Sequence, residues 1–231
     1  MKGEGGADSN FTLETFANNG LYGMVWQGKQ LEPSRTVAIK IVNLEYGMHF
    51  NAVEHARGLV KAGVHPNIVT VYEVTRVTHP DNDDVVDAVV MEWLDGITLG
   101  DRLGKSLLFP IDQAREICER LLDGLSHLHE NGVAHSDLHP GNVVLTRVGP
   151  KIIDIDYSSA KSLARLTTIS RKLQIEADIA QAAYIVTRVL SKTAMKLDIL
   201  HANIDAMRQT TSLADLQETL NQVLSEAIQA S

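Results

Sequence analysis

The sequence predicts an α+β fold in which a small antiparallel β-sheet lobe comes first and a mostly helical lobe follows. Three observations carry this. Runs rich in β-branched residues, Thr36-Val37-Ala38-Ile39-Lys40-Ile41-Val42, Ile68 to Val74 and Val85 to Met91, crowd the N-terminal part of the chain. Apolar residues spaced by three or four then dominate the C-terminal part, beginning with Ile111 to Glu130. At 231 residues and 44% hydrophobic composition, without internal repeats or a dividing linker, the chain can bury one substantial core or two lobes sharing a cleft.

In chain order, residues 1–10 are polar and glycine-rich and are expected to form a flexible N-terminus rather than a signal peptide. Residues 11–231 then form the domain. A loop containing Gly20 and Gly23 precedes the strand pattern that ends in Lys40, and a helical stretch runs from Phe50 to Ala62. The two following strands are separated by the polar loop around Asp81-Asn82-Asp83-Asp84. In Ile111 to Glu130, the residues Ile117, Leu121, Leu122, Leu125 and Leu128 keep a helical period, and Asn131-Gly132 is a helix stop. His127 and His129 read as packing or surface residues, and Cys118 as a small core residue. Helices are further expected from about Ile175 to Leu190, Met195 to Met207 and Leu213 to Ala230, the last with an apolar stripe at Leu213, Leu216, Leu220, Leu224 and Ile228. That stripe packs against its own lobe or serves dimerisation or partner docking.

Composition narrows the function. A single cysteine rules out a disulfide within one chain and favours a reducing, cytoplasmic setting. No apolar run approaches the length needed to span a membrane. A net charge of -8 argues against non-specific nucleic-acid binding.

The chemistry concentrates in His135-Ser136-Asp137-Leu138-His139-Pro140-Gly141-Asn142, where an Asp and an Asn five residues apart can face one phosphoryl group and its metal. Further on, Lys151-Ile152-Ile153-Asp154-Ile155-Asp156 adds a carboxylate after an apolar strand-like run. With Gly20, Gly23 and Lys40 upstream, the set holds what phosphoryl transfer needs: a base near the acceptor hydroxyl, oxygen ligands for Mg²⁺, a cation for nucleotide phosphates and a close phosphate cover.

From about Phe16 to about Leu190 the chain resembles the protein kinase family, in a compact form similar to bacterial Ser/Thr kinases. The resemblance implies a bilobal fold with the small lobe over about 11–91, a hinge over 92–96 and an abbreviated large lobe over 97–231. It implies Mg-ATP as phosphoryl donor and a protein hydroxyl as acceptor. Asn18-Asn19-Gly20-Leu21-Tyr22-Gly23-Met24-Val25 is a degenerate glycine loop with Asn18 in place of the first glycine. Lys40 would contact the α- and β-phosphates and pair with Glu54, with Glu45 the competing assignment. Val25 and Ala38 would line the nucleotide site. Met91 would be the gatekeeper, and the backbone of Glu92 and Leu94 would meet the adenine edge. Asp137 would orient the acceptor hydroxyl, Asn142 and Asp154 would hold Mg²⁺, and Asp178 would anchor the large lobe.

Four departures bear on the kind of kinase. Ser136 replaces an arginine that pairs with an activation-loop phosphate in regulated members, which implies activity without that phosphorylation. His139 stands where lysine is usual in protein Ser/Thr kinases, so its help to the γ-phosphate would depend on pH. The pattern D-L-H-P-G-N also recurs in small-molecule kinases of the aminoglycoside and choline type, which keeps that acceptor class open. Asp156 replaces the flexible glycine of D-F-G. The segment from Asp154 to Asp178 is short, lacks A-P-E, and carries Lys161, Arg165, Arg171 and Lys172 among hydroxyls that are candidates for autophosphorylation. A pseudokinase acting as a binding module is the non-enzyme alternative.

Overall fold

The structure, a computed structural model, describes residues 10–20, 23–42, 56, 60–82, 84–155 and 168–230. They belong to two compact units, one over residues 1–64 and 69–94, the other over 65–68 and 95–231.

The first unit is a five-stranded antiparallel sheet. Its strands are β1 (Phe11–Gly20), β2 (Gly23–Gln30), β3 (Arg35–Val42), β4 (Val71–Thr78) and β5 (Val85–Glu92), in spatial order β1-β2-β3-β5-β4. Because successive side chains of a strand point to opposite faces, β3 divides its residues cleanly. Val37, Ile39 and Ile41 join Phe11, Val77, Val86, Ala88 and Val90 in one apolar cluster. Ala38 and Lys40 lie on the other face. Register then sets their neighbours: Ala38 pairs with Met91 and Gln27, and Lys40 pairs with Val89 and Val25.

The second unit is mostly helical. It holds α1 (Leu99–Gly104), α2 (Ile111–Glu130), α3 (Thr168–Leu190), α4 (Leu197–Gln209) and α5 (Leu213–Gln229). A small sheet of β6 (Gly96–Thr98), β7 (Val143–Thr146) and β8 (Gly149–Ile152) packs with them. The apolar stripe expected on α2 is buried at Ala114, Ile117, Cys118, Leu121, Leu122, Leu125 and Leu128. On α5, Leu216, Leu220, Val223, Leu224 and Ala227 are buried, and the helix packs on α2, α3 and α4. The stripe is therefore used within its own unit, while Ile228 at its end stays 52% exposed.

Several boundaries differ from expectation. Helix α3 begins two turns earlier than the apolar period suggests, because its opening turns are polar and are supported instead by pairs such as Lys172 with Glu176 at 3.6 Å. Strand β4 begins at Val71, not Ile68. Ile68 forms a parallel bridge with Ile152, and the Asn67 carbonyl accepts from the Ile152 amide at 2.8 Å, so residues 65–68 belong to the second unit. Helix α1 was not expected. Its signal was Thr98 three residues before Asp101: the Thr98 hydroxyl accepts from the Asp101 amide at 3.0 Å.

Candidate active site

The loop from His135 to Asn142 is shaped by α3. Asp178 is fully buried there, and its carboxylate accepts from the backbone amides of His135 at 2.7 Å and Ser136 at 2.9 Å. The imidazole of His129 sits at 2.9 Å on the same carboxylate. One turn on, Gln181 Oε1 accepts from the Leu138 amide at 3.1 Å. Three backbone amides of the loop are thus satisfied by two side chains spaced i, i+3 on one helix face. This anchoring holds Ser136 at φ 67, a backbone region that costs a non-glycine residue about 1 kcal/mol or more.

His135 is buried beneath the loop. Its Nε2 donates to the Ile153 carbonyl at 3.0 Å, and its Nδ1 accepts from the Asp137 amide at 3.3 Å. One ring nitrogen as donor and the other as acceptor is the pattern of a neutral imidazole. Burial pushes its pKa below the ordinary value, against the opposing pull of Asp178, the Ile153 carbonyl, Asp137 and Asp154. The Ile153 amide in turn donates to the Asn142 carbonyl at 2.9 Å. Both polar groups of Ile153 are therefore held immediately before Asp154, which stands at φ 55. Asp tolerates that conformation better than most side chains.

Asn142 closes a short 3₁₀ turn over Pro140–Asn142. Its Nδ2 donates to the Asp137 carbonyl at 2.9 Å and lies 3.5 Å from Asp137 Oδ2. With the amide nitrogen committed to Asp137, Asn142 Oδ1 is the atom left to meet a cation. Asp137 itself is partly exposed, and His139 Nε2 lies 3.8 Å from its Oδ2. Among the described residues no three His, Cys, Asp or Glu side chains gather to hold a metal by themselves. The Asn142 amide oxygen and the Asp154 carboxylate could hold a cation, and such a pair would suit Mg²⁺ shared with phosphate oxygens rather than a cage made only of protein.

The first unit carries the residues assigned to the nucleotide. Lys40 is only 3% exposed, and Ala38 and Met91 are also buried. Register places Asn18 opposite Val25, and Val25 opposite Lys40, so this row lies on one face of the sheet. Gly20 ends β1 and Gly23 opens β2 at φ 140, a conformation glycine adopts without strain. Gly20 and Gly23 thus pair where β1 ends and β2 begins. Glu92 places its carboxylate on the Thr70 amide at 2.7 Å. Leu94 is half-buried and closes the first unit. Glu54, Glu45, Asp156 and most of the basic and hydroxyl-rich segment after it lie outside the described residues.

Gln181 was not singled out from sequence, since it carries no periodicity signal of its own. His135 was named only as part of its motif, and His129, read as packing or surface, packs against Asp178. His127 stacks on His65 with ring centroids 4.6 Å apart, and His65 Nε2 lies 3.3 Å from Asp123 Oδ2.

A five-stranded antiparallel sheet, a helical unit and a loop of this build define a protein-kinase-like fold. A family model of the protein kinase domain matches residues 15–198, and the chain belongs to that family. It is 28% identical over 162 residues to the serine/threonine-protein kinase drp72 of Corynebacterium efficiens, matching 68% of this chain and 31% of that protein. It is 26% identical over 147 residues to the serine/threonine-protein kinase PrkC of Bacillus subtilis, matching 62% of this chain and 22% of that protein. The chain therefore spans less than a third of the length of these curated relatives. Among solved structures it is similar to the kinase domain of PknI from Mycobacterium tuberculosis, with a TM-score of 0.65 and 15% identity over 96% of each chain. A chain of Rad53 in complex with AMP-PNP gives a TM-score of 0.65 at 18% identity, covering 93% of this chain and 65% of that one. At these identities the structural likeness speaks for the fold alone.

Proposed function

We propose that this protein transfers the γ-phosphoryl group of Mg-ATP to a Ser or Thr hydroxyl of a protein. The observation that carries the reading is the loop in which His135 ties the Asp137 amide to the Ile153 carbonyl and Asn142 is bound to both Asp137 and Ile153, with its start anchored on Asp178. Such a frame holds a carboxylate and two oxygen donors in fixed relation, and fixed relation is most of what phosphoryl transfer asks of a protein.

Asp137 accepts a hydrogen bond from the acceptor hydroxyl and aims its oxygen at the phosphoryl group. Asn142 Oδ1 and the Asp154 carboxylate would hold Mg²⁺, which supplies charge neutralisation on the phosphoryl oxygens when bound. Lys40, whose burial calls for an anionic partner, is assigned to the α- and β-phosphates, with Glu54 as its carboxylate. Gly20, Gly23 and Asn18 cover the phosphates. Val25, Ala38 and Met91 line the adenine, and the backbone of Glu92 and Leu94 meets its polar edge. His139 donates a hydrogen bond from its Nε2–H to a γ-phosphoryl oxygen.

Incubation with labelled ATP and Mg²⁺, followed by mass spectrometry, tests the reading. We expect label in protein Ser or Thr, including this chain itself, and a loss on the order of 100-fold or more in Asp137→Ala and Asp154→Ala. Label in small molecules alone would instead support a phosphotransferase of the aminoglycoside or choline type, the reading favoured by His139 and Gly141. Equal labelling in wild type and both variants would leave only a binding module.

A further inference from the structure

The residue between Pro140 and Asn142 is glycine, and its backbone φ lies outside the left-handed region, so chain geometry does not explain the choice. What explains it is the imidazole of His139. The Gly141 amide donates to His139 Nδ1 at 3.0 Å. A Cβ at position 141 would lie 2.7 Å from His139 Cε1 and 2.9 Å from Nδ1, closer than carbon atoms of real side chains approach. The ring is folded back over its own turn and occupies the space a side chain would need.

We propose that Gly141 is a positioning residue for the reaction: it latches the His139 ring in one orientation and one tautomer, with the Nε2 proton facing Asp137. The tautomer follows from hydrogen bonding alone. Nδ1 accepts from a backbone amide, so in the neutral ring the proton resides on Nε2. Nε2 stands 3.8 Å from Asp137 Oδ2, beyond hydrogen-bond length, so this proton is not committed to the carboxylate. It is available to an oxygen arriving beside Asp137, and the latch fixes where that oxygen must be. The His139 ring is about half exposed, so without the latch its rotamers would be free. The role of the latched proton in turnover rests on the kinase reading above; the latch itself does not.

The test is a double-mutant cycle read in parallel by NMR. In ¹⁵N-imidazole spectra, His139 is assigned by the signal lost in His139→Ala. It should show Nδ1 as acceptor and Nε2 as protonated in the wild type, and Gly141→Ala should shift it. In phosphotransfer, Gly141→Ala should lower kcat on the order of 10- to 100-fold with little change in KM for ATP, as expected when a reacting contact is misplaced. In the His139→Ala background the same substitution should cost almost nothing, because the ring it displaces is gone. His139→Asn keeps an acceptor for the Gly141 amide without the distal proton, and should lose turnover while that amide stays protected from hydrogen exchange. Should Gly141→Ala fold only when His139 is Ala, the latch stands. An equal loss in both backgrounds, or unchanged His139 resonances in Gly141→Ala, overturns the proposal. A wild type with no phosphotransfer defeats the kinase reading alone, and the NMR arm then decides the latch.

Discussion

Asp178 has no exposed surface, yet it carries a carboxylate, and a buried charge survives only when its oxygens are fully engaged. Here they meet two loop amides and the ring of His129. Truncation would strand those groups, so Asp178→Ala is expected to lower stability by about 3–5 kcal/mol, measured by urea denaturation. Asp178→Asn, which keeps one acceptor, should cost less. A second residue-scale prediction concerns pH. Burial lowers the pKa of both His135 and His65 from the ordinary value of 6.5; at His65, Asp123 opposes the shift while His127 and Lys151 reinforce it. Below that pH the unfolded chain binds more protons than the folded one. Stability is then complete above about pH 6.5 and falls as pH drops through the lowered values, by at most about 1.4 kcal/mol per pH unit for each ring. Denaturation near pH 7.5 and near pH 5.5 checks this, and His65→Gln should flatten the acid side. Equal stability at the two pH values would count against it.

At the scale of elements, the chain shows how unequal the contributions to one helix are. On α5, the Ser212 hydroxyl accepts from the Asp215 amide at 3.0 Å, and Ser212→Ala should cost about 1 kcal/mol. Leu220, in the same helix and without exposed surface, should cost about 2–5 kcal/mol on truncation to Ala. Thermal or chemical denaturation of the two variants side by side gives the ratio, and a larger loss for the cap would contradict the packing. The same contrast explains which boundaries were legible. Helix α2 was expected over Ile111 to Glu130 and is found there, because its buried stripe writes a period into the sequence. Residues 171–173 of α3 are exposed and write none.

For the molecule as a whole, the departure at Ser136 bears on regulation. Its amide is bound by Asp178, and its side chain offers no charge to an activation-loop phosphate. We expect phosphatase-treated protein to keep most of its turnover in a kinase assay; loss of most activity would show that a different group reads such a phosphate. Among the described residues no helix is long and apolar enough to cross a membrane.

Residue types and their spacing marked Asp137, Asn142, Asp154 and Lys40 as candidates for one set, because the proposed phosphoryl transfer would ask for a base, two oxygen donors and a cation at such intervals. They also foretold the order of sheet and helices, since periodicity is local. Only the tertiary structure could decide that residues 65–68 join β8 rather than β4, that Gln181 binds the loop directly and His129 meets it through Asp178, and that the His139 ring occupies the space a Cβ at position 141 would need. These contacts leave no helical or strand period in the chain and exist only once it has folded.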